Sequence, residues 1–414
     1  MKLLVIGYVW PEPKSSAAGS RMMQLLEVFR GQGWQVHFAS PAQMTEHMAD
    51  LSRIEIACHS IELNSASFDR FIQHLAPDIV VFDRFMMEEQ FGWRVEKCLP
   101  SALRVLNTED LHSLRDGRHQ AVKEGREFEL RDMHTPMAWR EIAAIFRSDL
   151  TLMISDVEMT LLQNQFHVPA TQLHYIPLMV EAQSSCHLPS FDERQHFITI
   201  GNFRHAPNWD AVLQLKQHLW PSIRKKLPKA ELHIYGAYPP PKATQLHNPK
   251  DGFCVKGWVD DALQVMCQAR ILLAPLRFGA GIKGKLIDAM TVRTPSVTTP
   301  VGAEGISDDW PGAIAYDDQD FIEKAVALYQ DSARWHQAQE RGDALLASRF
   351  LASLHASALI EKLVMHHSQL NGLRGQHFMS SMLRHHSMKS TQYMSQWIEA
   401  KNQLSLKVDS PSTE

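Results

Sequence analysis

The sequence predicts an α/β protein made of two doubly wound parallel-sheet domains in tandem. Short β-rich apolar runs alternate with helical patterns through the first 175 residues, the signature of repeated strand–helix–strand units. The alternation lapses between Pro177 and Gln195 into Glu, Gln, Ser, His, Pro and Asp, and then restarts. At about 100–200 residues per domain, a chain of 414 residues has room for two or three domains.

Taken in order, Lys2 to Tyr8 is a continuous apolar run, as expected of a strand buried on both faces. A Pro-rich loop follows; Met22, Met23, Leu25, Leu26 and Phe29 then recur at helical spacing until Gly31 and Gly33, and Trp34 to Ala39 reads as a second strand. Asp78 to Asp83, Leu103 to Asn107 and Leu150 to Ile154 are further strands, each leading into a polar loop and a helical pattern. Ser155-Asp-Val-Glu158 has the form of a capping box, in which Ser155 caps the helix and Glu158 bonds back.

In the second half, strands are expected at Phe197 to Gly201, Glu231 to Gly236, Phe253 to Val259, Ile271 to Leu276 and Ser296 to Thr299. Helices are expected at Trp209 to Leu219 and Lys285 to Met290, and beyond Asp320 the pattern is helical throughout. It ends in an apolar stripe of Tyr393, Met394, Trp397 and Ile398, with Lys401, that calls for a packing partner. The boundaries drawn are a first domain at 1–177, a connector at 178–195, a second domain at 196–370, C-terminal helices at 371–404 and a frayed tail at 405–414.

Composition excludes several classes. With 42 Lys+Arg against 46 Asp+Glu and a net charge of -4, the chain is not a strongly basic nucleic-acid binder, and 44% hydrophobic residues argue against disorder. Five scattered cysteines, without a CxxC pair, form neither a disulfide framework nor a regular zinc signature. The paired histidines His366/His367 and His385/His386 lack acidic or cysteine partners nearby in sequence, so no metal is expected. The N-terminal apolar run is too short for a signal-peptide core, and no run reaches the roughly 18 apolar residues of a membrane span, so the expected compartment is the cytoplasm.

In doubly wound folds ligands bind beyond the C-terminal ends of the strands, so function is sought in the strand-to-helix loops. At the first, Gly19 and Ser20 open a helix, where bare N–H groups and the helix dipole favour an anion; a serine-capped turn is the plain alternative. The loop lacks the GxGxxG spacing of a dinucleotide site. The segment Asn107-Thr-Glu-Asp-Leu-His-Ser-Leu-Arg115 supplies an acceptor in Asp110, an imidazole in His112 and a cation in Arg115, suited to a substrate hydroxyl or to developing charge, or else to capping the loop. Gly201-Asn-Phe-Arg-His-Ala-Pro-Asn-Trp-Asp210 offers the Arg204 fork to phosphate, with Asn208 as a helix cap.

The most specific segment is Phe278-Gly-Ala-Gly-Ile-Lys-Gly-Lys-Leu-Ile-Asp-Ala-Met290. Gly279, Gly281 and Gly284 leave backbone bare, Lys283 and Lys285 put positive charge at a helix start, and Asp288 follows a turn later. Backbone donors, cations and one carboxylate suit a nucleoside diphosphate, with phosphate at the basic end and sugar hydroxyls at the acid.

That segment, continued through Thr294-Pro-Ser-Val-Thr-Thr-Pro-Val-Gly-Ala-Glu-Gly-Ile306, resembles the donor-binding region of family 4 glycosyltransferases (glycosyl transferases group 1) of the GT-B fold. The earlier loops are similar to that family in matching order, so the resemblance covers roughly residues 1–350. It implies two Rossmann-like domains facing a cleft, with C-terminal helices crossing back to the first. It also implies transfer of a sugar from a nucleotide-sugar donor to a glycan or lipid-linked acceptor, with retention, without metal or other cofactor, and in bacterial surface-polysaccharide assembly. Carried over, Arg204 and Lys283 would hold the diphosphate, Asp288 the ribose hydroxyls, and Glu304 would line the donor pocket. His112 would sit near the transferred sugar, Gly19 near the donor phosphate or acceptor, and Trp258 and Val259 against the base. A lipid-carried acceptor would draw the protein to the inner membrane surface.

Two positions depart from the family pattern. Ala280 stands where a first acid is common, and Arg293 where a small residue, commonly glycine, precedes Thr294-Pro295. A nucleotide-sugar epimerase on the same fold and a non-catalytic binding protein are the competing readings; acceptor-dependent release of nucleoside diphosphate separates transfer from both.

Overall fold

The computed structural model describes residues 1–181 and 188–408. Seven strands form the first sheet: β1 (Lys2–Ile6), β2 (Gln35–Ser40), β3 (Ala57–Ser60), β4 (Ile79–Asp83), β5 (Leu103–Asn107), β6 (Leu150–Met153) and β7 (Leu173–Tyr175). Their order is β3-β2-β1-β4-β5-β6-β7 and every pairing is parallel. The second sheet holds β8 (Phe197–Ile200), β9 (Leu232–Tyr235), β10 (Phe253–Gly257), β11 (Ile271–Ala274), β12 (Ser296–Thr298) and β13 (Ala313–Ile314), again all parallel, in the order β10-β9-β8-β11-β12-β13. The strand order reverses between β1 and β4 and between β8 and β11, which opens a crevice at each sheet's C-terminal edge.

Both sheets are covered on both faces. Leu4, Ile6, Val80 and Phe82 face one apolar cluster of the first domain, while Leu3, Val5, Ile79 and Val81 face the other. Burial on both sides explains why these strands read as unbroken apolar runs. Three strands escape the sequence pattern: β3, β7 and β13, each an outermost strand and short, with β3 reading Ala-Cys-His-Ser. An edge strand with little apolar surface carries too weak an alternation to read.

The chain recrosses earlier than the expected 371. Val180 and Phe350 to Ala352 bond to each other beside the connector, and Leu359, Ile360, Leu363 and Leu370 then bury their side chains in the first domain's core. Residues 182–187 of the expected connector, including Cys186, and 409–414 of the expected tail lie outside the described residues. The last helix runs Phe378–Val408, past the expected end at 404.

That helix packs on the first domain, but not through its apolar stripe. Ser380 bonds Gln172 at 3.1 Å, Ser395 accepts from Arg94 at 3.3 Å, and Glu399 accepts from the Ala66 N–H at 2.9 Å. Arg94 is buried and needs these acceptors together with Asp69, so the polar face turns inward. Tyr393, Met394 and Trp397 are 62%, 58% and 61% exposed.

Candidate active site

The helix Ala17–Gly31 starts one turn earlier than Gly19 and Ser20 imply. Ser16 is its cap, accepting from the Gly19 N–H at 3.1 Å, and Ser20 donates to Pro13 O at 2.8 Å. A Cβ on Gly19 would lie 2.3 Å from the Glu12 carbonyl oxygen, so this glycine admits backbone rather than a ligand. Its amide is already taken by Ser16, so this N–H is not among the free donors at the helix start.

At the ends of β4 and β5 a buried polar network fixes the cleft floor. Arg21, fully buried, bonds Glu109 at 3.1 Å, Ile176 O at 2.8 Å and Asn107; Asn107 in turn bonds Asp83 at 3.1 Å and Glu109 at 2.8 Å. Arg84 and Glu109 sit at φ 72° and 63°, a conformation that disfavours a side chain and that the surrounding network must hold. Burial works against the Arg84 charge, but Asp83, Glu109 and Asp110 raise its pKa. Sequence reading missed Arg84, because its only signal is its place directly after an apolar run.

The helix His112–Lys123 has no side-chain cap of its own. Its free N–H groups are met instead by two buried carboxylates from elsewhere: Glu141 accepts from the N–H of His112 at 2.8 Å and of Ser113 at 2.9 Å, and Glu158 accepts from the N–H of Leu111 at 3.1 Å. Burial raises the Glu141 pKa to about 7 against those bonds. Asp110 is buried, which would push its pKa up, yet Arg115 and His112 hold it well below the carboxylate range. His112 lies 3.6 Å from Asp110, edge-on to Phe85, and burial takes its pKa down to about 4, so it is neutral at physiological pH.

Glu158 is the residue the sequence most undersells. Ser155 caps the helix Asp156–Phe166 as expected, at 3.4 Å, but Glu158 does not bond back. Fully buried, it accepts from the N–H of Gly281 in the second domain, and burial raises its pKa to about 8.

Across the cleft the Phe278–Met290 segment is held closely. Gly281 has φ 63°, and a Cβ there would lie 2.8 Å from Asp110 Cβ; one on Gly284 would lie 2.5 Å from Ala17 Cβ. The helix Gly284–Thr291 thus meets the helix Ala17–Gly31 N-terminus to N-terminus. Lys283 is 9% exposed and donates to Gly281 O at 2.8 Å; burial lowers its pKa to about 8 although Glu304 and Glu158 pull it up. Lys285 donates to Asn208 Oδ1 at 2.8 Å, and burial lowers it likewise to about 8. Asp288 has no hydrogen-bond or ion-pair partner for its carboxylate among the described residues, and burial raises its pKa to about 7.

Several residues are placed otherwise than expected. Asn208 is not a cap: the helix Ala206–Gln214 starts after His205, and Asn208 ties Lys285 to Asn202 O at 3.0 Å. Arg204 is exposed and lies 3.6 Å over the Tyr238 ring, away from Lys283's contacts, while Tyr238 donates to Glu12 at 3.1 Å. Trp258 has one face covered by His47, ring centroids 4.1 Å apart, and Val259 beside it is half-buried. Glu304 takes a two-pronged ion pair from Arg118 of the first domain at 2.8 Å, and Arg118 also donates to Gly279 O at 2.8 Å. Ala280 packs against the first domain's apolar cluster. Arg293 has φ 52°, which explains why glycine suits that position, and it pairs with Asp343 at 3.0 Å.

The cleft is therefore closed, with cations and helix N-termini converging on it. Residues 194–331 match the family model described as Glycosyl transferases group 1. No curated protein matches the chain by sequence. Anabaena HepE, solved in complex with UDP and glucose, superposes with a TM-score of 0.67 at 11% identity, covering 88% of this chain and 99% of that one. Sucrose-phosphate synthase from Thermosynechococcus elongatus gives 0.64 at 13%, covering 87% and 97%. WaaG, a glycosyltransferase involved in lipopolysaccharide biosynthesis, gives 0.59 at 13%, covering 84% and 98%. The chain thus has the two-domain GT-B fold that these solved proteins share, and the family match covers residues 194–331 of its second domain.

Proposed function

We propose that the protein moves a sugar from a nucleotide-sugar to a glycan or lipid-linked acceptor, retaining the anomeric configuration and without a metal in the reaction. The observation that carries this reading is the charge gathered where two helix N-termini abut: Lys283 and Lys285, both desolvated, with the partnerless carboxylate of Asp288 one turn on. Helix dipoles and desolvated lysines favour a diphosphate, and a partnerless carboxylate favours ribose hydroxyls. The cleft carboxylates Asp110 and Glu304 are each paired to a guanidinium, which leaves the lysines to carry the counter-charge.

In this mechanism the carbon–oxygen bond to the diphosphate breaks as the acceptor oxygen bonds the anomeric carbon, and the acceptor's proton leaves with the diphosphate. Lys283 stabilises the charge on the departing group, which is the main source of rate acceleration open to a site without a strong nucleophile. Neutral His112, held by Asp110 and the Phe85 edge, positions a sugar hydroxyl. HepE, solved with UDP and glucose, and WaaG, involved in lipopolysaccharide biosynthesis, share this fold and support the donor class and a place in cell-surface glycan assembly. The exposed Tyr393, Met394 and Trp397 stripe supports peripheral attachment to the inner membrane surface from the cytoplasm.

Calorimetric titration with UDP, GDP, ADP, CMP and NAD tests the donor site: one nucleoside diphosphate binds selectively if the reading is right, and none binds to folded protein if it is wrong. Release of that diphosphate from its sugar only when acceptor is added then distinguishes transfer from epimerisation or simple binding. The product anomer, read by NMR, tests retention.

A further inference from the structure

At the end of the second sheet away from the cleft, metal-ligating side chains converge from three strands. Phe197 lies opposite Leu232, and Ile198 and Cys254 both lie opposite His233. Side chains alternate along a strand, so Glu231 and His233 share a face, the register puts Cys254 level with His233, and His196 lies two residues before Ile198. Glu231 and His233 are 2.8 Å apart, the His196 and His233 rings stack at 3.9 Å, and one ligand atom from each of Glu231, His233 and Cys254 lies within 4.8 Å of the others. Cys254 is a buried free thiol, whereas Glu231 is exposed, so the cluster is reachable from solvent on one side.

We infer that Glu231, His233 and Cys254 form a binding site for zinc or a similar divalent transition-metal ion, with a water molecule from the exposed side as the fourth ligand. A sulfur, an imidazole nitrogen and a carboxylate oxygen are the donors that tetrahedral zinc prefers, at about 2.0–2.3 Å from the metal. Ligand atoms then stand roughly 3.3–3.8 Å apart, so the Glu231–His233 pair, 2.8 Å apart here, opens as the ion enters. The Cys254 thiol passes its proton to solvent, and thiolate plus carboxylate balance the charge of the ion. Because the three ligands lie on β9 and β10 or just before them, the ion would brace the start of those two strands.

Full-length protein, stripped with a chelator and titrated with Co2+, tests this. Wild type is expected to bind one equivalent with a thiolate-to-cobalt charge-transfer band that Zn2+ abolishes by displacement, and Zn2+ is expected to raise its melting temperature. Cys254→Ser should lose the band and Cys58→Ser should keep it. Glu231→Gln, at an exposed position that leaves folding intact, should weaken Zn2+ at least as much as the roughly 10- to 100-fold loss seen when a residue that only orients a ligand is removed. Absence of the band in wild type, its persistence in Cys254→Ser, or unchanged Zn2+ affinity in Glu231→Gln overturns the site.

Discussion

The carboxyl group of Glu158, in the first domain, accepts hydrogen bonds both from the N–H of Leu111 beside the candidate catalytic loop and from the N–H of Gly281 in the glycine-lysine loop of the second. One buried side chain thus registers the two halves of the cleft. Glu158→Ala would orphan two buried amides, at a cost of about 1–3 kcal/mol each, and is expected to lower the melting temperature and weaken donor binding together.

The same residue gives a pH signature. Its folded pKa, about 8, lies above the 4.5 of an exposed glutamate, so its contribution to stability is fully present below about 4.5 and is lost as pH rises through about 8. Glu158→Gln does not titrate, so thermal melts should show the variant gaining on wild type steadily across that window. A difference that stays flat with pH would refute a protonated, buried Glu158.

Gly284 marks where the two domains touch. Its backbone is ordinary helix, and a Cβ there would crowd Ala17 across the cleft. Gly284→Ala should force the two helix starts apart, lowering thermal stability by about 1–3 kcal/mol as overpacking does and reducing turnover with it. An unchanged melting temperature with full turnover would refute the close approach.

The pair Arg118 and Glu304 is a cross-domain clamp, half-shielded from water at 16% and 22% side-chain exposure. A double-mutant cycle of Arg118→Ala and Glu304→Gln, read in kcat/KM for the donor, should show coupling of about 0.5–3 kcal/mol. Additive losses would mean that the two act independently.

Lys283→Ala is expected to reduce kcat by about 10²–10³ and to weaken the diphosphate, as loss of a leaving-group stabiliser does. His112→Ala should lower turnover more than nucleotide affinity, and equal losses would sink its positioning role. Donor affinity should climb as pH rises through about 7, where Asp288 ionises, and fall above about 8 as Lys283 and Lys285 lose charge. Asp288→Asn should remove the acid limb alone in calorimetric titrations.

Much of this was legible in the residues. Buried parallel strands must be apolar on both faces, so β1, β4, β5 and β11 announce themselves, and a glycine-lysine loop after a strand can be read as an anion site because bare backbone and charge are local properties. The edge strands β3, β7 and β13 were not, since a strand half out of the core needs no strong pattern. What a side chain meets across the cleft or across a sheet is another matter. Ser155-Asp-Val-Glu158 reads as a local cap, and only tertiary structure sends Glu158 to Gly281 rather than back to its own helix. Asn208 reads as a cap and holds Lys285; Tyr393 and Trp397 read as a packing face and lie exposed, because buried Arg94 claims the polar side of that helix. Glu231, His233 and Cys254 have no spacing that marks a metal, and it is the register of β9 with β10 that gathers them. Sequence by itself determined where backbone is buried and where charge is concentrated, because those depend on neighbours along the chain; which partners meet was decided by the packing of elements far apart in sequence.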